Sequence, residues 1–432
     1  MTDQDAAQDA KPESGARNLS RRIRAVAGLA DQAFTAGANA VNGLVAGYLL
    51  GPAPFGRYVA VIGVAFITIA VTRAFIGEVL LTHTARATGE EYRTQVRDAS
   101  ATAIGVGAVA IAIAVGIWAI GFDLLRDLLW LAPFLPAALL ADAGRYAFLS
   151  QRRPQRALLI TGVGLLTQLV VIGVLVVVGT VTTGSLLAAW GAGMVAGSIV
   201  TLALLYLNPI AGKPQRWIGT TRHLSGWFLA TAVLSQTYNW AVLYFVGGYL
   251  GDEDLGGLRM LQMLVLMPVQ NLIWALTGMI VPGYSGFAER GDVARIQHRT
   301  RFLVTGYLGV FGVILALVPV GQWLVDLVLP EYAPYRGLMW PIALQAGFYM
   351  IQSPLNAALR GMQQARHSFM QYVIFTAVVL PASLLGALWY GVTGAAYGLV
   401  VGAIAGGIGA YVMYVRALHR IAADRPLEPA AE

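Results

Sequence analysis

Apolar runs of about 20 residues or more, each bounded by polar or charged segments, recur along the whole chain. The first, from about Ala25 to Leu50, begins directly after Arg21, Arg22 and Arg24. Others lie near 57–81, 99–121, 127–149, 158–179 and 184–207, and then near 224–250, 257–281, 302–320, 337–359, 370–390 and 394–415. A helix needs about 20 apolar residues to cross a bilayer, and in lipid only helices or closed barrels satisfy their own backbone. The pattern therefore predicts an all-α polytopic membrane protein with twelve transmembrane helices. Residues 1–24 and 416–432 are polar tails, and residues 208–223 form a basic linker with two prolines. The first tail has no apolar core of the kind a signal peptide needs.

Basic residues sharpen the topology. Nearly all of the 29 lysines and arginines fall in alternate segments: before the first run, then at 86–97, 145–156, 213–222, 290–301, 360–366 and beyond 416. By this alternation Arg57, Arg126, Arg259 and Arg336 belong to the other side, and Arg73 lies within a span. The positive-inside bias puts both termini in the cytoplasm.

The two halves resemble each other. A shift of 200 residues brings Gly51 onto Gly251, Gly56 onto Gly256 and Asn39 onto Asn239, and a shift of 210 brings Arg156 onto Arg366 and Gly184 onto Gly394. Six spans per half give both halves the same orientation. The prediction is two parallel six-helix lobes, 25–207 and 224–415, with a substrate path between them. Polar stripes fall at related depths. The first span carries Asp31, Thr35, Asn39 and Asn42, the seventh Thr231, Ser235 and Asn239, and the tenth Gln345, Tyr349, Gln352 and Asn356. A polar stripe cannot face acyl chains. One such residue alone reads as interhelical glue, whereas three related stripes predict a hydrated central cavity. Gln270, Trp274 and Thr277 in the eighth span are further candidates for its wall, while Met260, Met263 and Met267 above them read as packing. Gly394, Gly398, Gly402 and Gly406 read as close helix contact.

Composition excludes other classes. With 57% hydrophobic and only 12% charged residues and a mean hydropathy of +0.65, the chain cannot clothe a water-facing surface, which takes about 25% charge. A soluble enzyme and a nucleic-acid binder are excluded. So is a disulfide scaffold, because there is no cysteine, and neither a metal site nor a cofactor is expected. A membrane glycosyltransferase would need outward acids on a sizeable loop, and the external loops are short.

Buried charge marks candidate chemistry. Arg73 and Asp142 each lie about 12 Å inside their spans, and Asp31 about 9 Å; Glu78 and Arg145 are shallower. All five belong to the first half, so the cavity should be electrically uneven. They could neutralise one another as a structural network. Alternatively Arg73 and Arg145 contact an anionic head-group, which suits the planar guanidinium fork, while Asp31, Glu78 or Asp142 takes up a coupling ion. Asn39, Asn42, Asn239, Gln270, Tyr349, Gln352 and Asn356 would complete the substrate surface.

Four short segments carry a family resemblance. Gly-Tyr-Leu-Leu-Gly-Pro-Ala-Pro-Phe-Gly-Arg-Tyr (47–58) resembles the turn after the first helix of bacterial polysaccharide flippases, and Arg-Ala-Phe-Ile-Gly-Glu-Val-Leu-Leu (73–81) their second-helix ending. Leu-Asn-Ala-Ala-Leu-Arg-Gly-Met-Gln-Gln-Ala-Arg (355–366) and Gly-Val-Thr-Gly-Ala-Ala-Tyr-Gly (391–398) are similar to segments after their tenth helix and before their last. The resemblance implies the multidrug/oligosaccharidyl-lipid/polysaccharide exporter superfamily. It also implies an alternating-access flippase in the bacterial plasma membrane, coupled to an ion or to the membrane potential. Its implied partners are a polyprenyl-diphosphate-linked oligosaccharide, the bilayer, and a polysaccharide polymerase or glycosyltransferases. The sister branch, proton- or sodium-coupled exporters of cationic small molecules, is the alternative. The Gly-x-x-x-Asp-Arg/Lys-x-Gly motif of major-facilitator transporters is missing from residues 82–98.

Overall fold

In a computed structural model of the chain, residues 37, 40–84, 87, 89–121, 123–151 and 153–423 are described, and every regular element among them is a helix. Asp31 and Asn39 lie outside the described residues, as do the first 36 residues and the last nine.

The first span is described as α1, Ala40–Leu50. α2, Pro52–Thr72, continues through a π turn, Arg73–Gly77, into α3, Glu78–His83, and the three together form the second span. α4 (Gly89–Ile120), α5 (Leu135–Ser150), α6 (Pro154–Val178) and α7 (Thr183–Leu205) complete the first half. The second half holds α8 (Pro214–Tyr249), α9 (Asp252–Glu289), α10 (Val293–Val328), α11 (Met339–Gly361) and α12 (Ala365–Ala423). α12 breaks at Tyr390 and Gly391 and so supplies two spans. Eleven of the twelve predicted spans coincide with helix, and of the first, 25–50, the described part Ala40–Leu50 is helical. Six described stretches are apolar and long enough to cross a membrane outright. α8, α9 and α11 fall short of that standard, and these are helices whose apolar surface is interrupted by polar residues.

Two boundaries differ from the sequence reading. The span expected over 127–149 is bent: the 3₁₀ helix Asp123–Trp130 meets the segment Ala132–Ser150 at 49°, because Pro133 and Pro136 can start a helix but not continue one. The linker expected over 208–223 is helical from Pro214 onward and merges with the seventh span. Its start is anchored by Asp98, which is buried and accepts hydrogen bonds from the Lys213 amide (2.8 Å) and from Arg216 Nη2 (3.0 Å).

Within the first half α4, α5, α6 and α7 pack on one another, and within the second α9, α10, α11 and α12 do so; α2 crosses to pack on α8 and α9. The face bearing the arginine-rich segments, here the basic face, differs from the opposite one. One apolar core, with Phe55, Tyr58, Leu258, Leu261 and Tyr332, joins both halves towards the opposite face. Near the basic face the buried residues separate. Ile280, Tyr284, Ile296 and Leu359 cluster in the second half, and Ile76, Leu80, Val96 and Ala147 in the first.

The seal on the opposite face obeys the 200-residue repeat. Gly51 and Gly251 both adopt positive φ, 71° and 113°, a region that glycine enters freely, and each starts a helix. A Cβ on Gly56 would strike the carbonyl of Asp252, and one on Gly256 would strike the carbonyl of Pro52. Two backbones thus touch across a local twofold. Around them the Tyr332 hydroxyl donates to the Gly47 carbonyl (2.9 Å), the Tyr244 hydroxyl donates to that of Ala60 (3.0 Å), and Arg57 pairs with Asp252 (3.4 Å).

The glycine row of the last span packs as the sequence suggested. Gly394, Gly398, Gly402 and Gly406 face Gly386, Ser383, Val379 and Phe375 in the antiparallel first arm of α12. Gly398→Ala would press against the backbone of Ala382 and Ser383, and overpacking of that kind costs about 1–3 kcal/mol. Gly407→Ala meets nothing within 4 Å and should stabilise the helix by about 0.5–1 kcal/mol. Opposite shifts of the two variants in melting midpoint in detergent are the expected result; equal shifts would contradict this packing.

Candidate functional site

Two cavities hold the described candidate residues other than Glu78. The larger, about 370 Å³, lies between α2, α5, α6, α7, α8 and α9. Arg73, Asp142, Arg145, Asn42 and Asn239 all line it, so five candidates spread over almost 200 residues of sequence share one space. The smaller, about 130 Å³, is lined by Gln270, Thr277, Tyr349, Gln352 and Asn356, together with Ser353, Arg360, Gln371 and Tyr372. The polar stripes thus divide between two chambers, where the sequence suggested one. Thr231, Ser235 and Trp274 lie on described helices, but their side chains are outside the described residues.

Arg73 is placed by the π turn that begins with it. Such turns insert a residue into an α-helix and gather at functional sites. Arg73 Nη2 donates to Asp142 Oδ1 (2.8 Å) and its Nε to Oδ2 (3.2 Å), a two-pronged grip on the carboxylate. Arg145, one turn along α5, approaches the same Oδ1 at 3.5 Å. The guanidinium of Arg73 also lies 5.6 Å from the ring centre of Tyr146, and Gly77 leaves the space that this ring fills. In an unbroken α-helix Arg73 and Glu78 would stand about 140° apart. With the π turn between them, Glu78 lies beyond the cavity lining and is exposed.

Asn42, Gln168, Gln236 and Asn239 add amides to the wall of the larger cavity. Asn42 Oδ1 accepts from the Tyr58 hydroxyl (3.1 Å) and from Gln168 Nε2 (2.5 Å), a network that holds α1, α2 and α6 together. Asn239, one helix over, is exposed.

Arg259 requires a correction. The alternation of basic segments assigned it to the side opposite the basic face, and the second half was expected to lack intramembrane charge. In the structure α9 already begins at Asp252, so Arg259 sits two turns inside it, only 8% exposed, lining the cavity. Its guanidinium lies 5.6 Å from the ring centre of Trp240, Nη1 donates to Gln262 (3.3 Å), and Nε has no partner. The signal was present in the sequence: Arg259, Met263, Met267 and Gln270 recur every three or four residues on one helical face. The same row corrects the reading of the methionines, because Met263 and Met267 line the cavity while Met260 is buried in the core.

Among the described residues, the charged ones around this cavity are thus Arg73, Arg145 and Arg259 against Asp142. A concave space with that excess of guanidinium attracts anions and repels cations. Arg73 already displays the forked geometry that suits a carboxylate or a phosphate.

No protein-family model matches the chain, and no curated protein matches it. Solved structures are similar in fold across nearly its whole length. A lipid II flippase, MurJ, in an inward closed conformation aligns with a TM-score of 0.71 at 12% identity, covering 93% of this chain and 90% of that one. A multidrug-resistance MATE-family transporter of the MOP superfamily in an inward-facing conformation gives 0.67 at 15% identity, over 91% and 95%. A MOP-superfamily transporter from Pyrococcus furiosus, described as having a binding pocket of reverse polarity, gives 0.61 at 14% identity, over 93% and 96%. The chain therefore has the fold shared by MATE transporters and MurJ, an all-helical, multi-pass membrane architecture.

Proposed function

We propose that the protein is a flippase that carries a polyprenyl-diphosphate-linked oligosaccharide from the cytoplasmic to the outer leaflet by alternating access. The observation that carries this reading is the cavity's charge, in which, among the described residues, Arg73, Arg145 and Arg259 outweigh Asp142. A diphosphate with its sugars cannot enter hydrocarbon unaided. A polar, positively charged space between two lobes, 25–207 and 224–415, replaces water for the head-group while the lipid tail stays in the bilayer. The separate apolar clusters near the basic face and the joined core at the other suit a form that loads from the cytoplasm. Asp142 occupies the fork of Arg73, so the substrate's phosphate must displace it. Protonation of Asp142, or the pull of the membrane potential, would favour that exchange and supply the coupling; Asp31 and Glu78 are the other candidates for it. The lipid II flippase among the structural neighbours supports transport of this kind.

The alternative, export of cationic small molecules, is favoured by the MATE neighbours and by Asp142 as a carboxylate that trades a proton for a cation. Deletion of the gene separates the two. Accumulation of a lipid-linked sugar on the cytoplasmic leaflet with unchanged drug sensitivity is expected. Hypersensitivity to cationic compounds with normal surface glycan would overturn the flippase reading.

A further inference from the structure

The smaller chamber differs chemically from the charged one. Among the described residues no carboxylate lines it, and the one guanidinium there, Arg360, sits exposed at the rim beside the Tyr372 hydroxyl (3.4 Å). Its walls are carboxamides, hydroxyls and aromatic rings. Gln371, 2% exposed on the first arm of α12, donates through Nε2 to Gln352 Oε1 on α11 (3.2 Å) and points the same group at the Gly406 carbonyl (3.5 Å). Gly406 permits this approach, since a Cβ there would crowd Gln352 Oε1 and Phe375. Tyr349 and Phe375 stand with ring centres 6.1 Å apart, and Tyr349 receives a hydrogen bond from Gln345 Nε2 (3.1 Å).

Two acceptors in this wall have no partner: Gln371 Oε1 and Asn356 Oδ1. A buried polar atom left unpaired costs about 1–3 kcal/mol, and native proteins rarely keep one without a use for it. Carboxamides present a donor and an acceptor side by side, the pairing that neighbouring hydroxyl groups of a sugar require, and a hydroxyl can donate to each idle oxygen. Aromatic faces offer an apolar surface for the ring's C–H groups. The chamber, about 130 Å³, is smaller than sites for drug-sized ligands, which run about 300–1,000 Å³, and matches a single ring.

The two chambers share a wall. On α9 the row Arg259, Met263, Met267 faces the charged cavity, and Gln270, Ile273 and Thr277 face the neutral one. From Met267 to Gln270 the helix rises about 4.5 Å. A ligand whose anionic group rests in the first chamber can therefore reach the second with the group attached next to it.

We propose that the chamber of Gln352, Asn356 and Gln371 is a neutral-sugar subsite that binds the ring adjoining the diphosphate of the transported lipid. This rests on the flippase reading and assigns α11 and the first arm of α12 the task of recognising sugar, while Arg73, Arg145 and Arg259 face the diphosphate. The test uses purified protein in nanodiscs and three synthetic short-chain probes: a polyprenyl diphosphate, and the same lipid carrying one hexose or one N-acetylhexosamine. At least one sugar-bearing probe is expected to bind 10-fold or more tightly than the bare diphosphate. Gln352→Leu and Gln371→Leu should each erase most of that margin while leaving affinity for the bare diphosphate within 2-fold. Gln352→Glu is the second variant, should a leucine fail to fold: it keeps the size, adds charge, and should also erase the margin. If the bare diphosphate binds but neither sugar adds affinity, or if the variants weaken all three probes equally, the subsite is overturned and the flippase reading stands. If no probe binds wild-type protein, the flippase reading fails first.

Discussion

Arg73→Gln is expected to lower transport of a diphosphate-linked glycan in proteoliposomes by about 100-fold while leaving the protein folded. Hydrogen bonds to a charged group are worth about 1.5–3 kcal/mol, and every 1.4 kcal/mol is tenfold, so loss of a forked contact to phosphate accounts for the drop. Folding should survive because Arg145 still faces Asp142. Arg73→Lys keeps the charge but not the fork, and should fall between wild type and Arg73→Gln. The competing explanation is structural: removing one partner of a buried ion pair strands the other, and Asp142 rather than the substrate would suffer. The double variant Arg73→Gln with Asp142→Asn removes both charges and separates the two cases. If it transports like wild type, Arg73 serves only to neutralise Asp142 and is no substrate contact. If transport stays lost while the melting midpoint recovers, the contact role holds. Asp142→Asn alone should free the fork and tighten binding of a polyprenyl diphosphate.

The helices were legible because the hydrocarbon core imposes one strong rule, about 20 apolar residues per crossing, and the arginines of the basic face marked where each crossing ends. The repeat was legible in Gly51, Gly56, Gly251 and Gly256, since a positive φ and a backbone contact each demand glycine. Asn42, Gln270, Gln352 and Asn356 could be read as cavity residues because amides at helical spacing cannot face lipid. The division into two chambers was not legible, because spacing gives the face of a helix and not the neighbour that the face meets. Met267 and Gln270 are one turn apart on α9 and open onto different spaces. Arg259 was missed as a cavity residue because a cation near a turn can belong to the loop or to the helix, and only the start of α9 at Asp252 decides. Nor could the sequence show the π turn at Arg73–Gly77, or that the ring of Tyr146 fills the space beside Gly77.

The second large effect concerns the seal. Gly56→Val and Gly256→Val should each open the face opposite the basic one, and to a similar degree, because a twofold relates the two contacts. In either variant the added Cβ meets a peptide carbonyl, Asp252 or Pro52 respectively, which cannot swing aside as a side-chain tip would. Overpacking of about 1–3 kcal/mol falls on the sealed form alone, since the contact is gone once the lobes part at that face. That shifts the balance between sealed and open forms by about 5- to 150-fold, at 1.4 kcal/mol per tenfold. The chain contains no cysteine, so one introduced at Asn239, exposed in the larger cavity, reports accessibility without background. With Gly56 and Gly256 intact, a membrane-impermeant thiol reagent should reach the introduced cysteine faster from the basic face. In both glycine variants the reagent should reach it faster from the opposite face, with transport reduced because the form that loads substrate is depleted. Reversal in one variant only would show that the contact is not shared symmetrically. Unchanged labelling in both would mean that the Gly56 and Gly256 contact is not what closes that face, and the alternating-access reading would lose its gate.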